Sequence, residues 1–166
     1  DTLSVSEYAQ TIVDTMRPTG LSILLEPGRW IVGPAGVLVA SVVDVKRQNA
    51  DRYFVVLDAG MSELLRPALY GAVHRLEPLE QRSGSSVLCD LVGPICETSD
   101  VLGMARLMPL PKVGDLIAVL DVGAYGSTMA SNYNRHPLPA EVLVEGRTWS
   151  VIRRRQTYDD MVSLEV

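Results

Sequence analysis

The beginning of the chain has the residue spacing of an amphipathic helix. In "SVSEYAQTIVDTMR" (4–17), apolar residues recur at intervals of three or four positions, which places them on one helical face. Ser4, with Glu7 three residues later, forms a capping-box pattern that marks a helix start. Pro18 and Gly20 mark its end. The residues of the apolar face are Tyr8, Ile12, Val13 and Met16.

The next stretch, "LSILLEP" (21–27), is an apolar run without clear alternation. Such runs are typical of short strands that are buried on both faces of a parallel sheet. A helix that leads into a buried strand is the last unit of an α/β pattern. We therefore assign residues 1–27 to the tail of an α/β domain.

From Gly28 onward the pattern changes to runs rich in Val, Ile and Leu, separated by Gly, Pro, Asn and Asp. These runs predict β-strands, and "VEGR" (144–147) between two of them predicts a hairpin turn. Thr157, with Asp160 three residues later, predicts a short closing helix. Residues 28–166 are thus expected to form a mainly β domain, either a barrel or a sandwich. The predicted strand runs are 36–46, 51–60, 85–93, 114–123 and 140–154.

The composition fits one globular domain and argues against two classes of protein. The 166 residues are 47% apolar, which is enough for a sizeable core. The net charge is −5 and the basic residues are scattered apart from Arg153–Arg155, so we expect no nucleic-acid surface. The longest uncharged run, 30–43, is too short to span a bilayer, and we see no secretory signal. The chain starts at Asp1 without an initiator methionine, so we expect it to be part of a longer protein.

The cysteines and histidines are few and separated. Cys89 and Cys96 are not part of a CxxC motif, so we expect neither a disulfide framework nor a zinc site. His74 and His136 are far apart in the sequence, and we predict no metal site. This cysteine usage fits a reducing cytoplasm, which is the location we expect.

The cluster "EPGR" (26–29) lies at the C-terminal end of the predicted buried strand, where ligand-binding groups gather in α/β folds. Gly28 allows a ligand to approach the backbone closely, and Arg29 offers a planar fork for a carboxylate or phosphate. Taken alone, the motif also fits an ordinary Pro-Gly turn with a surface salt bridge.

The cluster "LLRPALYGAVH" (64–74) places Arg66 before a proline, and Tyr70 four residues after the arginine. If one helical turn follows Pro67, both side chains project from the same side and can hold one anion. The alternative is a solvated loop arginine and a half-buried tyrosine.

The stretch "GPICETSD" (93–100) sets a thiol, Cys96, beside a carboxylate, Glu97, where a strand passes into a loop. This pair has three interpretations: a catalytic pair, a fragment of a metal site or ordinary loop polarity. Cys89, inside a strand run, is expected to be a buried structural cysteine.

The stretch "DVGAYGSTMASNYN" (121–134) contains Gly123, Tyr125 and Gly126. A glycine-bounded loop can turn backbone N–H groups and a phenol toward an anion such as phosphate. Such loops are also common where no ligand binds.

Together, in this order and spacing, the four clusters resemble the C-terminal part of the fold-type III pyridoxal-phosphate decarboxylases. The resemblance covers the chain from Tyr8 to its tail, and within the family it is to the branch that converts meso-diaminopimelate to L-lysine and CO2. Ornithine-type relatives usually have Asp after the cysteine, whereas this chain has Glu97. The motifs that carry the resemblance are "EPGR", "LLRPALYGA", "GPICETSD", "GAYG" and "SNYNRHPLPAEVLVEG".

The resemblance implies an N-terminal (β/α)8 barrel followed by a C-terminal β domain, with residues 1–27 as the last helix and strand of that barrel. It implies that pyridoxal 5'-phosphate binds in the barrel, where the family has its cofactor-binding lysine, a ring-stacking histidine and a glycine-rich phosphate loop. Lys46 and Lys112 are the only lysines of this chain, and neither lies in a matching motif. The chain alone is therefore expected to be inactive.

The resemblance also implies roles for residues of this chain at the cofactor. Glu26 would act catalytically by keeping the ring nitrogen protonated, since an opposite charge favours the charged form. The N–H of Gly28 and the hydroxyl of Tyr125 would hold the phosphate, with Arg29 close to the cofactor as well.

The substrate of that family branch has a second amino-acid end, which the enzyme must recognise. The resemblance implies that Arg29, Arg66 and Tyr70 bind its distal carboxylate. Tyr125 would contact the substrate as well as the cofactor, and Glu97 would bind the distal ammonium group.

The resemblance further implies a homodimer with active sites shared across the interface. Cys96 and Glu97 would be donated to the partner subunit's site, with Cys96 near the reacting centre. Two alternatives are kept. One is another decarboxylase of this fold type that acts on a carboxynorspermidine-like or arginine-like substrate, and the other is a non-catalytic β-barrel interaction module.

Overall fold

β-Strands are the main regular secondary structure of the chain in the structure, a computed structural model that describes residues 4–80 and 84–166. The strands in these ranges are β1 (Leu38–Arg47), β2 (Arg52–Leu57), β3 (Leu76–Pro78), β4 (Ser86–Val92), β5 (Val101–Pro109), β6 (Leu116–Val119), β7 (Glu141–Glu145) and β8 (Thr148–Arg153). The α-helices are α1 (Val5–Met16), α2 (Gly28–Val32), α3 (Arg66–Tyr70) and α4 (Tyr158–Val162). Short 3-10 helices cover Arg17–Thr19, Gly33–Ala35, Ser127–Met129 and Tyr133–Arg135.

Helix α1 forms where the sequence predicts it, with the predicted capping box. The Ser4 hydroxyl accepts from the N–H of Glu7 (3.2 Å), and the Glu7 carboxylate accepts from the N–H of Ser4 (2.9 Å). The chain turns away at Gly20, which has φ +64°. No residue of α1 is buried, so its apolar face is uncovered by the rest of this chain.

The strand predicted over residues 21–27 does not form, and that prediction was wrong for this chain. The segment pairs with none of the described strands, and Leu24 is 96% exposed. A strand is stable when its neighbours satisfy its backbone hydrogen bonds, and no described strand does so for this segment. The apolar pattern is real, but this chain does not bury it.

Six strands form one sheet in the order β3-β6-β1-β2-β4-β5. Neighbouring strands are antiparallel except β2 and β4, which are parallel. The two edge strands approach each other: Arg106 of β5 donates from Nη2 to the His74 carbonyl, just before β3 (3.4 Å), and Gly103 lies against the Leu76 side chain. The sheet therefore curls into a nearly closed barrel. The mainly β fold expected from the sequence is confirmed.

The inside of the curled sheet is an apolar core. The Cys89 side chain is fully buried in it, as predicted for a structural cysteine, and burial raises the pKa of its thiol. The buried members of the core are Ala40, Val42, Val55, Leu57, Ala59, Leu64, Cys89, Leu91, Leu102, Met108, Ile117 and Val119.

The sequence pattern missed β3 and β5, whereas the other strands lie in the predicted runs. The pairing of β5 with β4 shifts register around Asp90, and Ala105 has φ +50°. The Asp90 carboxylate accepts from Arg52 (2.7 and 2.8 Å) and from the N–H of Ala105 (2.7 Å). Burial opposes the ionisation of Asp90, but these bonds outweigh it and hold its pKa below the ordinary value. Such a bulge interrupts the alternation by which a strand is recognised.

Strands β7 and β8 form a separate hairpin, as the "VEGR" pattern predicts. The turn residue Gly146 has φ +62°, and side chains of both faces, such as Leu143 and Val144, are exposed. The predicted closing helix is α4, which begins with a capping box between Thr157 and Asp160. Within the described ranges, no helix has both the length and the apolar character needed to cross a membrane.

Candidate active site

Helix α3 carries the first pair of candidate residues. It runs from Arg66 to Tyr70, has Pro67 in its first turn and ends at Gly71, which has φ +63°. Proline is favoured there because a first-turn N–H has no helical partner. The Arg66 Cζ lies 5.9 Å from the centre of the Tyr70 ring. The predicted helical turn, with both side chains on one side, is therefore confirmed.

The loop after β6 brings Tyr125 to Arg66. The centre of the Tyr125 ring lies 5.3 Å from the Arg66 Cζ, so this guanidinium is close to two aromatic rings. Tyr125 has φ +62°, which is uncommon for a bulky residue. Gly126 is needed beside it, because a Cβ there would lie 2.4 Å from the Val122 carbonyl oxygen.

Backbone contacts join this loop to the segment that carries Arg29. The N–H of Gly123 donates to the carbonyl of Gly33 (2.9 Å). A Cβ on Gly123 would lie 1.9 Å from the Val32 carbonyl oxygen, and one on Gly36 would lie 2.4 Å from the Gly123 Cα. Only glycines allow this approach. The contact fixes the position of α2 relative to the Tyr125 loop.

A concave pocket of about 530 Å³ lies where these elements meet. Its described lining contains two guanidinium groups and two phenols, and none of these lining residues carries a carboxylate. Guanidinium groups bind carboxylates and phosphates through paired charge-assisted hydrogen bonds. By its chemistry, this anion pocket suits a negatively charged ligand. The lining residues are Arg29, Arg66, Tyr70, Ala72, Tyr125 and Met129.

The other candidates of the "EPGR" cluster are next to the pocket in sequence but not in its lining. Gly28 is the first residue of α2, where the sequence suggested only a turn, and Glu26 precedes it in the extended segment. Both are exposed. Neither lysine lines the pocket: Lys46 pairs with Asp44 in β1 (3.3 Å), and Lys112 lies before β6.

A second region, the Cys96–Glu97 loop (residues 93–100), follows β4. Cys96 and Glu97 are exposed, whereas Asp100, which ends the loop, is only 2% exposed. The Asp100 carboxylate accepts from the N–H groups of Ile95 (2.7 Å) and Met61 (2.6 Å). Burial raises the pKa of Asp100, although these two bonds oppose the shift.

The segment of residues 131–136, here called the clamp segment, contacts this loop. The Tyr133 hydroxyl donates to Oε1 of Glu97, and Asn134 Nδ2 donates to Cys96 Sγ at 3.9 Å. The bond to Glu97 raises the pKa of Tyr133. Neither contact was predicted from the sequence. The only indication was that "SNYN" is part of the motif "SNYNRHPLPAEVLVEG", one of those that carry the family resemblance.

A buried carboxylate connects the two regions. Glu63, in the loop before α3, accepts from the N–H of Gly60 (2.7 Å) and contacts His136 Nδ1 (3.1 Å). The N–H of Ser131 donates to the carbonyl of Ser62 (2.9 Å). The loop of residues 60–63 therefore supports both α3 and the clamp segment.

The structure separates the candidate residues into two groups. Arg29, Arg66, Tyr70 and Tyr125 line the anion pocket, whereas Cys96 and Glu97 lie together outside its lining. Sequence reasoning missed two further lining residues, Ala72 and Met129, which carry no charge or nucleophile that could reveal them. In the parts of the chain that the structure describes, no group of three or more His, Cys, Asp or Glu could hold a metal ion.

Comparison with known proteins identifies the family to which this chain belongs. Residues 11–123 match the family described as "Pyridoxal-dependent decarboxylase, C-terminal sheet domain". The chain belongs to this decarboxylase family. Among curated members, the diaminopimelate decarboxylase of Vibrio cholerae is 45% identical over 161 residues, which cover 96% of this chain and 38% of that protein. The diaminopimelate decarboxylase of Aquifex aeolicus is 42% identical, and the match covers 94% of this chain and 37% of that protein.

A solved structure gives the same match. The diaminopimelate decarboxylase of Helicobacter pylori, crystallised in complex with L-lysine, superposes with a TM-score of 0.87 at 40% identity. The match covers 99% of this chain and 40% of that one. The chain thus spans about two fifths of the length of these decarboxylases.

Proposed function

We propose that this chain is the C-terminal part of a meso-diaminopimelate decarboxylase, which removes one carboxyl group as CO2 and leaves L-lysine. Residues 1–27 are then the tail of an N-terminal barrel, and residues 28–166 form the C-terminal β domain. The uncovered apolar residues of α1 and of residues 21–25 support this division. The relative from Helicobacter pylori supports the product, since its crystals contain L-lysine. We place the protein in the cytoplasm because of its cysteine usage.

The observation that carries the proposal is the convergence of Arg29, Arg66, Tyr70 and Tyr125 on one anion pocket. meso-Diaminopimelate differs from a simple amino acid by a second carboxylate and a second ammonium group. The Arg66 guanidinium, close to the Tyr70 and Tyr125 rings, can hold the distal carboxylate with paired hydrogen bonds. Arg29 lines the same pocket and adds a second positive charge.

The residues of this chain fit part of a pyridoxal-phosphate site. The pocket offers guanidinium and phenol donors to an anion, among them the Tyr125 hydroxyl for the phosphate and Arg29 near the cofactor. The N–H of Gly28, the residue before Arg29 in α2, would be a further donor to the phosphate. Glu26, which precedes α2, would keep the ring nitrogen of the bound cofactor protonated. When bound, the cofactor takes up the electron pair that remains on carbon as CO2 leaves. Covalent attachment needs a lysine, and neither lysine of this chain lines the pocket, so the chain alone is inactive.

Cys96 and Glu97 serve the active site of a partner subunit in this proposal. Both are exposed and lie outside the lining of the pocket formed by their own chain, which supports a role elsewhere. Glu97 binds the distal ammonium group of the substrate, and Cys96 lies near the reacting carbon. The protein is therefore a homodimer with two shared sites.

The decisive experiment uses the full-length protein, purified with pyridoxal phosphate. We expect CO2 release and L-lysine formation from meso-diaminopimelate, with kcat/KM at least about 100-fold above that for ornithine, arginine or carboxynorspermidine. The present chain alone, assayed in parallel, is expected to release no CO2. Preference for ornithine, arginine or carboxynorspermidine would show that the proposed substrate is wrong but that the protein is still a decarboxylase. No activity on any of them would favour an interaction module.

A further inference from the structure

We propose that Tyr133 is a positioning residue that fixes the Glu97 carboxylate and thereby sets the preference for substrates with a distal ammonium group. The inference rests on the proposed function, in which Glu97 binds that group. In this proposal Tyr133 does not contact the substrate; it acts only by orienting Glu97.

The contact between the two side chains carries the argument. The Tyr133 hydroxyl donates to Oε1 of Glu97, and Oε2 has no hydrogen-bond partner among the described residues. One carboxylate oxygen is thus held within the chain while the other is available to a cation. The next residue, Asn134, makes a longer and weaker contact to the Cys96 sulfur (3.9 Å), so two adjacent residues of the clamp segment contact two adjacent residues of the loop.

The backbone of the clamp segment is held in an unfavourable conformation. Asn134 has φ +53° and Arg135 has φ +60°, two successive left-handed residues that are not glycine. Such conformations persist where surrounding contacts enforce them, and they concentrate at functional sites. Here the Asn132 amide donates to the His136 carbonyl (2.8 Å) and to Gln156 Oε1 (2.5 Å). The segment is therefore a fixed support for the Tyr133 hydroxyl.

The clamp segment and the Cys96–Glu97 loop rest on the same foundation, residues 60–63. Glu63 contacts His136 at the end of the clamp segment, and Ser62 accepts from Ser131 at its start. The neighbouring Met61 N–H donates to Asp100, which ends the Cys96–Glu97 loop. The segment that carries Tyr133 and the loop that carries Glu97 are thus both bonded to residues 60–63. This shared support fixes the distance between the Tyr133 hydroxyl and the Glu97 carboxylate.

The expected consequence concerns binding rather than chemistry. A carboxylate on an exposed loop has several rotamers, and a hydrogen bond that selects one of them lowers the entropy lost on binding. The distal ammonium group is far from the reacting carbon, so its binding is the same in the ground state and the transition state. Loss of such an interaction raises KM and leaves kcat unchanged.

The test is Tyr133→Phe in the full-length, cofactor-loaded enzyme, which removes the hydroxyl and keeps the ring. We expect KM for meso-diaminopimelate to rise about tenfold, with kcat within about twofold of wild type. The inhibition constant of 2-aminopimelate, a diacid of the same length without the distal ammonium group, should not change. Tyr158→Phe, at an exposed tyrosine outside the pocket, is the matched control and should change neither constant. A general structural effect would weaken both ligands alike and would overturn the proposal, as would an unchanged KM.

A double-mutant cycle with Glu97→Gln separates this inference from the proposed function. If Tyr133 acts through Glu97, Tyr133→Phe adds nothing to the KM of the Glu97→Gln enzyme. If Glu97→Gln alone leaves KM unchanged, the substrate role of Glu97 is wrong and the inference fails with it. If Glu97→Gln raises KM and Tyr133→Phe does not, only the inference fails.

A measurement without substrate checks the contact itself. Subtracting the alkaline absorbance titration of Tyr133→Phe from that of the wild type isolates the Tyr133 phenol. It should titrate above the ordinary tyrosine range, because the bond to Glu97 raises its pKa, and it should return toward that range in Glu97→Gln. An ordinary titration in the wild type would show that the bond is absent in solution.

Discussion

Arg66 in the anion pocket and Glu97 in the Cys96–Glu97 loop both carry charges assigned to the substrate, but their surroundings differ. The Arg66 guanidinium lies near two aromatic rings, and the described structure gives it no ion-pair partner. Glu97 already accepts a hydrogen bond from Tyr133. The pocket is shaped by glycine contacts between backbones, whereas the loop is held by buried carboxylates.

In the proposed enzyme, this difference concerns how the two charged groups at the distal end of the substrate are bound. A guanidinium without a carboxylate partner keeps its full charge for a ligand, so its removal should lose a strong charge-assisted interaction. A carboxylate that is already held in one orientation offers less charge but more precise geometry. We therefore expect larger effects from the pocket and finer, selective effects from the loop.

The largest expected effect tests whether the two regions serve different active sites. A full-length Glu97→Ala chain is mixed with a full-length chain that lacks the cofactor lysine, and the mixture is assayed at a substrate concentration so far below the raised KM of the Glu97→Ala chain that each chain alone is nearly inactive. In a random mixture about half of the dimers are mixed, and each has one complete site if Glu97 acts in the partner. We expect activity to recover from near zero to about a quarter of wild type, measured as CO2 release.

Subunit exchange must be demonstrated in the same mixture, for example by native mass spectrometry of mass-tagged subunits. With exchange proven, absence of recovery would mean that Glu97 works in its own subunit or in none. In the first case the two regions would belong to one site, and in the second the Cys96–Glu97 loop would have no role at the substrate.

The next largest effect concerns the anion pocket alone. Arg66→Ala in the full-length enzyme should lose about 2–4 kcal/mol of transition-state stabilisation, because a charge-assisted interaction in a desolvated site is removed. Arg66→Lys should restore little, since a point charge cannot replace the planar fork. Steady-state kcat/KM for meso-diaminopimelate measures both. Arg47→Ala, at an exposed arginine of β1 that does not line the pocket, is the control. Wild-type kinetics of Arg66→Ala would mean that Arg66 is only a loop charge.

The smallest expected effect concerns Asp100, the buried carboxylate that holds the Cys96–Glu97 loop. Asp100→Asn should lower the free energy of unfolding by about 1–3 kcal/mol, because Ile95 and Met61 donate to different carboxylate oxygens and the NH2 group of Asn would replace one of these acceptors with a donor. Urea denaturation measures the change, and Asp51→Asn, an exposed aspartate, is the control.

The same variant should change the pH dependence of stability. Burial raises the pKa of Asp100 above its ordinary value of 3.8, so the folded state binds more protons than the unfolded state in the window above pH 3.8. The contribution of Asp100 to stability is therefore fully present below that value and decreases as the pH rises through its folded pKa. Asp100→Asn should remove this slope, and an unchanged slope would show that Asp100 titrates normally.

Local patterns in the sequence predicted local structure well. The capping boxes, the hairpin turn and the spacing of Arg66 and Tyr70 depend on residues a few positions apart, and all appear in the structure. The strand predicted over 21–27 failed because its stability depends on neighbours that the described chain does not contain. Strand β5 was missed because Asp90 and Ala105 form a bulge that conceals its alternation.

The candidate site shows the same limit. The four clusters named the charged and aromatic residues, but their grouping depends on contacts between distant parts of the chain. Nothing near Tyr125 in the sequence indicates that its ring lies 5.3 Å from the Arg66 Cζ. The contact of Tyr133 with Glu97 likewise depends on the buried loop around Glu63, which carries no recognisable motif of its own.

The parallel pairing of β2 with β4 has a consequence for how the chain folds. Parallel neighbours cannot be joined by a tight turn, and here the connection, residues 58–85, contains α3 and β3. Strand β3 pairs with β6 at one edge of the sheet, so the connection runs from β2 to that edge and then back to β4. Closing long connections is the slow step in sheet assembly. Arg66 and Tyr70 lie in this long connection, so we expect the anion pocket to form late in folding, together with the completed sheet.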